Sequence, residues 1–182
     1  MEQHHNGIGD NINIHGNAYF NAIQKHPTII ADVINALSNQ IEITDEDDVP
    51  LDFTIQQKID FNKVVIYRSL IQENAVYDGQ LGRVYDEFEK QGSFKKNLFL
   101  KYIRNKYLSV RGKFENEKKG ATVITVVQEN ADKIIETVLN EIYTDALRSD
   151  NLKSKLEEAK TVIEIIVVDA FMRCKILENP KE

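Results

Sequence analysis

The stretch of sequence that decides the fold runs from Val123 to Ile142 and reads VITVVQENADKIIETVLNEI. Its large apolar residues recur at steps of three and four, the spacing that lines one face of an α-helix. They are Val123, Val126, Val127, Ile134, Ile135, Val138, Leu139 and Ile142. The stretch lies in a run from Leu51 to Asn179 without proline, the residue that most strongly interrupts a helix. The sequence therefore predicts an all-α fold, a helical bundle of about five to six helices.

Composition sets the broad class of protein. Of 182 residues, 42% are hydrophobic, which is enough for one domain with a core. No apolar stretch reaches the ~20 residues that a membrane span needs, and residues 1–10 lack the apolar segment of a secretory signal. The single cysteine, Cys174, excludes an internal disulfide and fits a reducing compartment. Acidic residues outnumber basic ones by 29 to 23, so general coating of nucleic acid is not expected. We expect a cytoplasmic protein without membrane contact.

An arm rich in asparagine and glycine precedes the helical part, at residues 1–25. Within it Ile12 and Ile14 alternate with asparagines, which is the spacing of a β-strand. A strand this short is not stable alone in water, so it needs another surface or a second copy of the chain. We expect self-association through Asp10, Asn11, Ile12 and Ile14, and hence a homo-oligomer.

Three further regions follow the arm. Residues 27–40 form a predicted N-terminal helix that begins with Pro27 and has one apolar face. Residues 41–53 carry six acidic residues and no basic one, which predicts a solvated acidic linker. Residues 54–180 form the predicted helical interaction domain.

Within this domain an apolar stripe that includes Ile59, Val65, Ile66 and Ile71 predicts a helix from about Ile55. We expect breaks at Asp78–Gly79 and Gly92, a helix from Ser93 to about Gly112, and a loop at Lys113–Gly120. Ser149, Asp150 and Asn151 are expected to supply the turn and the cap of the last helix.

The last helix is apolar on nearly every face from Val162 to Met172, where the sequence reads VIEIIVVDAFM. A helix of this kind is buried in a core or in an interface between copies. This pattern is a second reason to expect an oligomer.

Two polar residues lie inside apolar stripes, Asn62 and Asp169. A buried carboxylate or amide needs hydrogen-bond partners. We expect these two side chains to form a buried polar network that fixes the register of the helices.

Basic residues concentrate between residues 95 and 119 and alternate with aromatic ones, as in many nucleic-acid-binding segments. At about 100° per residue, however, the charges scatter around the helix instead of forming one stripe. A solvated helix face is therefore the favoured interpretation, and contact with nucleic acid or with an acidic partner is the alternative. The residues concerned are Lys95, Lys101, Arg104 and Lys106.

No pattern in the sequence predicts a catalytic site, a metal site or a cofactor. The four histidines, His4, His5, His15 and His26, all precede the helical body, so that body offers no histidine as a general base. Cys174 falls late in an apolar helix and is expected to be a buried small hydrophobic residue. We therefore expect no enzymatic activity.

Motifs of the body resemble those of a known family. They are Lys58, Ile59 and Asn62; Tyr67 with Ile71; Glu87, Lys90 and Gly92; Ile103 with Tyr107; and the ending VDAFMRCKILENP at 168–180. This pattern, over about Leu51–Pro180, is similar to the small helical C-terminal domain of bacterial ABC-three-component systems. The resemblance implies an anti-phage defence system that pairs an ABC or SMC-like ATPase, a middle component and an effector. It also implies a non-catalytic helical adaptor whose partners are proteins of that system.

The arm carries a second resemblance, in GIGDNINIHGN at 7–17. The segment is similar to a GxGDN-type motif near the N-termini of bacterial conflict-system proteins, some of which self-associate through short motifs. Two functions remain open: an interaction and adaptor component that binds proteins and self-associates, or a subunit that contacts nucleic acid through residues 95–119.

Overall fold

The computed structural model describes residues 26–41, 53–90, 92 and 96–180. These residues form seven α-helices and one 3₁₀ turn at Ala75–Tyr77. The helices are α1 (Ile29–Gln40), α2 (Phe53–Asn62), α3 (Arg68–Asn74), α4 (Asp78–Lys90), α5 (Lys96–Glu117), α6 (Val123–Leu147) and α7 (Leu156–Met172). The all-α prediction is confirmed. The arm with Asp10, Asn11, Ile12 and Ile14, the linker residues 42–52 and Lys95 lie outside the described residues.

Helix α7 is the centre of the bundle, and α1, α3, α4, α5 and α6 all pack against it. Its residues from Ile165 to Phe171 are buried without interruption, and Ala159, Val162 and Ile163 extend the buried surface. Of the two expected locations for this apolar stretch, a core or an interface between copies, the structure shows the core, so the stretch gives no further reason to expect an oligomer. Ile165–Phe171 is apolar on nearly every face because five helices pack against α7.

Helix α1 is part of the same hydrophobic core. Its apolar face, Ile30, Val33, Ile34 and Leu37, joins the hydrophobic cluster formed with α6 and α7. The Asn151 side chain accepts a hydrogen bond from the Thr28 N–H at 2.9 Å and donates one to the Thr28 carbonyl at 3.1 Å. The turn before α7 thus anchors the start of α1.

The predicted capping of α7 is accordingly wrong. Ser149 and Asn151 make their contacts with Thr28, and α7 begins later, at Leu156. There the Glu158 carboxylate accepts a hydrogen bond from the Lys155 N–H, which satisfies one free donor of the first turn. Asp150 donates its own N–H to the His26 carbonyl.

Two helix boundaries differ from prediction because of single turns. The predicted helix from Ile55 is split at Lys63, whose φ of 57° lies in the left-handed region, and α3 resumes at Arg68. The predicted loop at Lys113–Gly120 is wrong for most of its length, because α5 continues to Glu117 and the chain turns at Gly120 with φ of 92°. Only glycine enters that conformation without strain.

Cys174 lies beyond the end of α7, with φ of 59°, and is exposed. The expectation of a buried cysteine is wrong, because the helix ends two residues earlier, at Met172, and Cys174 lies in the turn that follows, before Ile176 and Leu177 return to the core. Within the described ranges, no helix has the length and apolar character needed to cross a membrane.

Candidate interaction surface

The C-terminal segment is fixed to α2 by one asparagine. The Asn62 side chain is fully buried and donates to the Glu178 carbonyl at 2.7 Å while it accepts from the Glu178 N–H at 3.0 Å. It also donates to the Lys58 carbonyl of its own helix at 2.8 Å. All the hydrogen-bonding groups of the amide are thus used inside the fold.

The Glu178 carboxylate ties the same segment to α5. Its Oε1 accepts from the Tyr107 hydroxyl at 2.6 Å and from Arg111 at 2.9 Å. Burial opposes the ionised form, but these two hydrogen bonds outweigh it and lower the pKa of Glu178. Burial and the same carboxylate raise the pKa of Tyr107 well above its usual range. Glu178 is therefore a structural carboxylate.

Lys58 of α2 is a buried cation that lies against the C-terminal end of α7. Its ammonium donates to the Phe171 carbonyl at 2.6 Å and lies 4.5 Å from the centroid of the Phe171 ring. Burial lowers the pKa of Lys58 to about 8. The ammonium adds a second donor to this carbonyl of the last turn, which also accepts from the Cys174 N–H, and positive charge is favourable at a helix C-terminus.

Asp169 is the buried carboxylate of α7, with 1% of its surface exposed. It accepts from Arg173 Nε at 2.7 Å and from the Tyr85 hydroxyl at 3.3 Å. Arg173 in turn donates to Asp78 at 2.8 Å. Burial outweighs these partners and raises the pKa of Asp169 to about 6. Asn62 and Asp169 serve separate clusters, and no described contact joins them directly.

The basic residues of α5 do not form one free cationic face. Lys101 is exposed, whereas Arg104 donates to the Lys175 carbonyl at 3.2 Å and lies over the Tyr107 ring. Lys106 pairs with Asp145 of α6 at 2.8 Å. Further along α5, Lys113 pairs with Glu141 of α6, and Lys118, just after the end of α5, pairs with Glu129 of α6. Carboxylates of α6 therefore neutralise much of this segment.

Among the described residues, the most exposed of the apolar residues that sequence reasoning assigned to the core lie in the turn between α2 and α3. Val65 and Ile66 are 72% and 77% exposed, although the apolar pattern placed both in the core. The Asp132 carboxylate of α6 accepts from the N–H groups of Val65, Ile66 and Tyr67 at 3.0–3.2 Å. We call Val65 and Ile66 the apolar turn. The β-branched run Val64–Ile66 was no signal for a break, since the similar run Ile165–Val168 lies inside α7.

A groove adjoins the apolar turn between α6 and α7. It has a volume of about 420 Å³, and its lining includes Tyr67, Glu136, Leu139, Tyr143, Ile163 and Glu164. Tyr67 connects the two features: it lines the groove, and its N–H donates to the same Asp132 carboxylate that fixes the apolar turn. We call it the Tyr67 groove. In the part of the chain that the structure describes, histidine, cysteine and acidic side chains form no cluster suited to a metal ion.

Comparison with known proteins shows which family the helical domain resembles. A family model described as C-terminal domain 10 of the ABC-three component (ABC-3C) systems matches residues 28–178. The match begins at the cap of α1 and ends at Glu178, so it spans every described helix. Searches of curated proteins and of solved structures gave no match. The segment 7–17 precedes the matched residues, so its similarity to a GxGDN-type motif stays a prediction. The chain belongs to the C-terminal domain 10 family of ABC-three component systems.

Proposed function

We propose that this protein is a non-catalytic interaction module of its ABC-three component system, and that it binds another protein of the system through the apolar turn. The observation that carries the proposal is the exposure of Val65 and Ile66 on a turn held by Asp132. Two neighbouring β-branched side chains at this exposure are unfavourable in water, and burial against a partner would remove that penalty.

The hydrogen bonds between the turn and Asp132 favour binding for a second reason. Three backbone N–H groups of the turn are fixed by one carboxylate, so the turn has its shape before a partner arrives. A preformed turn loses little conformational entropy on association, and more of the burial energy then appears as affinity. Asp132 itself lies on α6, the longest helix described, which makes the support rigid.

The environment of the buried polar groups supports a role without catalysis. Asn62, Glu178 and Asp169 each bond to another segment of the fold, and their geometry is accounted for by packing. The Lys58 ammonium is likewise engaged by the Phe171 carbonyl. Groups used in this way stabilise the domain and are not available to a substrate.

We also propose that the arm mediates self-association. The support is the alternation of Ile12 and Ile14 with asparagines, which suits pairing of strands between copies. In this proposal the two functions are separate: the arm joins copies of the chain in the cytoplasm, and the helical domain binds the ATPase or the effector.

The test replaces Val65 and Ile66 together by serine and measures binding to each purified component of the system by calorimetry. We expect loss of a complex that the unchanged protein forms, with the same circular dichroism and Tm. The matched control replaces Leu98 and Leu156, which are 58% and 53% exposed elsewhere on the surface, by serine. The control should bind normally. Equal binding by both double variants would contradict the proposal.

A further inference from the structure

We infer that the Tyr67 groove binds an arginine side chain of the partner protein that covers the apolar turn. The inference rests on the proposed function and adds the chemistry of the partner. It predicts that the partner presents an arginine next to the apolar residues that cover Val65 and Ile66.

The groove combines walls suited to the two parts of an arginine. Leu139 and Ile163 of the lining offer apolar surface to its aliphatic stem, and Tyr67 and Tyr143 line the same groove. Glu136 from α6 and Glu164 from α7 are the acidic residues of the lining, and Lys160 is its one basic residue. The volume of about 420 Å³ leaves room for one long side chain.

The two carboxylates of the groove form no ion pair within the described part of the chain. Among the described residues, neither Glu136 nor Glu164 lies within the 4.0 Å of a basic nitrogen that defines an ion pair, whereas ten such contacts exist elsewhere. Lys160 borders the groove without reaching either of them. The free charges therefore favour a cation from outside.

The electrostatics of Tyr67 and Glu164 agree with this geometry. Burial, with a further contribution from Glu73, raises the pKa of Glu164 in spite of the nearby Lys160 charge. Burial and then the charges of Glu136, Asp132 and Glu164 raise the pKa of the Tyr67 hydroxyl. The groove is thus partly desolvated and negative, and an entering cation would stabilise the ionised Glu164.

Arginine fits the groove better than lysine does. Its planar guanidinium stacks on aromatic rings, pairs with carboxylates through several donors and is less strongly hydrated than an ammonium. The groove also lies next to the apolar turn, because Tyr67 lines the groove and directly follows Ile66. One partner segment can therefore occupy both.

The test titrates ¹⁵N-labelled full-length protein with N-acetyl-arginine amide and compares it with the neutral isostere N-acetyl-citrulline amide. We expect saturable amide shifts centred on Tyr67, Leu139 and Ile163 with the arginine probe. Binding should be at least about fivefold weaker with the citrulline probe and in the Glu136→Gln/Glu164→Gln variant. The matched control, Glu87→Gln/Glu117→Gln, removes two exposed carboxylates far from the groove and should bind as the unchanged protein does.

Equal shifts with both probes, or shifts that survive in the Glu136→Gln/Glu164→Gln variant, would overturn the inference. Stronger or equal binding of N-acetyl-lysine methyl ester would overturn the choice of arginine. The same variants are then assayed for binding to the purified components. Suppose that Val65→Ser/Ile66→Ser loses the complex, whereas Glu136→Gln/Glu164→Gln changes neither the binding of the arginine probe nor the complex. That result overturns the arginine site and leaves the proposed function standing. A complex that survives the serine pair overturns the proposed function, and the probe titration alone then decides the groove.

Discussion

The side chain of Asn62 and the backbone of Glu178 form a closed pair of hydrogen bonds, at 2.7 and 3.0 Å, across 116 residues of sequence. An asparagine amide presents a donor and an acceptor side by side, so it can pair with one residue's backbone as a neighbouring strand would. This pair holds the chain end after α7 against α2, and the Glu178 carboxylate then reaches α5. Asn62 and Glu178 together thus join three parts of the fold.

We expect Asn62→Ala to destabilise the protein by about 2–4 kcal/mol, because it leaves the Glu178 backbone groups and the Lys58 carbonyl without their partner in a buried site. Tm should fall by roughly 5–10 °C. Urea unfolding followed by circular dichroism measures both quantities. The matched control is Asn130→Ala, whose amide donates to the Val126 carbonyl of its own helix and should change stability by less than about 1 kcal/mol. Similar losses in the two variants would contradict the role of the Asn62 pair.

The pH dependence of stability should report on Asp169. Burial raises its pKa from an ordinary 3.8 to about 6. Between these values the folded protein keeps a proton that the unfolded chain releases. Stability contributed by this group is therefore greatest at low pH and falls as pH rises from about 4 to about 6, by up to about 3 kcal/mol. Tyr85, Arg173 and Asp78 surround the carboxyl and set this balance.

The measurement compares the free energy of unfolding of the unchanged protein with that of Asp169→Asn at several pH values between 4 and 7. The difference, unchanged minus variant, should decrease as pH rises through this window, because asparagine does not ionise. Glu87→Gln, an exposed change, should give a difference that is flat with pH. A difference that increases with pH for Asp169→Asn would show that the Arg173 pair outweighs burial.

We expect no retention of a fluorescein-labelled DNA or RNA at ~150 mM salt, since salt weakens phosphate contacts steeply. The physical reason is that Lys106 is paired with Asp145, and Arg104 with the Lys175 carbonyl. Fluorescence anisotropy over a salt series checks this. Tight binding that disappears in Lys101→Glu/Lys106→Glu would instead favour the nucleic-acid function.

Local patterns predicted those parts of the fold that depend on local chemistry. Helix α6 begins at Val123, the residue at which its apolar spacing begins, with Thr122 as its cap. The apolar run of α7 is helical because its spacing and length outweigh the strand propensity of β-branched residues. The burial of Asn62 and Asp169 also follows from the apolar stripes around them.

Contacts between distant residues were outside the reach of sequence reasoning. The apolar stripe placed Val65 and Ile66 in a continuous helix, whereas the left-handed turn at Lys63 exposes both. Asp132, which fixes that turn, lies more than sixty residues away and looks like any exposed acid of an amphipathic helix. The charges of α5 were likewise assigned to solvent, although α6 supplies partners for several of them. Pairings of this kind depend on how the helices are arranged, which no local pattern specifies.

Deletion of residues 1–25 should lower the assembly state of the protein and leave its helical content and Tm unchanged. Among the described residues, the apolar stretch Ile165–Phe171 of α7 packs against helices of its own chain and leaves no apolar face for a second copy. We therefore expect self-association through the arm, where Ile12 and Ile14 are the apolar residues of the strand-like segment. Sedimentation velocity over a range of concentrations, with circular dichroism alongside, measures both effects. An Ile12→Asn/Ile14→Asn variant of the full chain tests the segment itself, and Ile8→Asn in the same arm is its control. A full-length protein that stays monomeric at high micromolar concentration, or a truncated protein that still associates, would contradict the role of the arm.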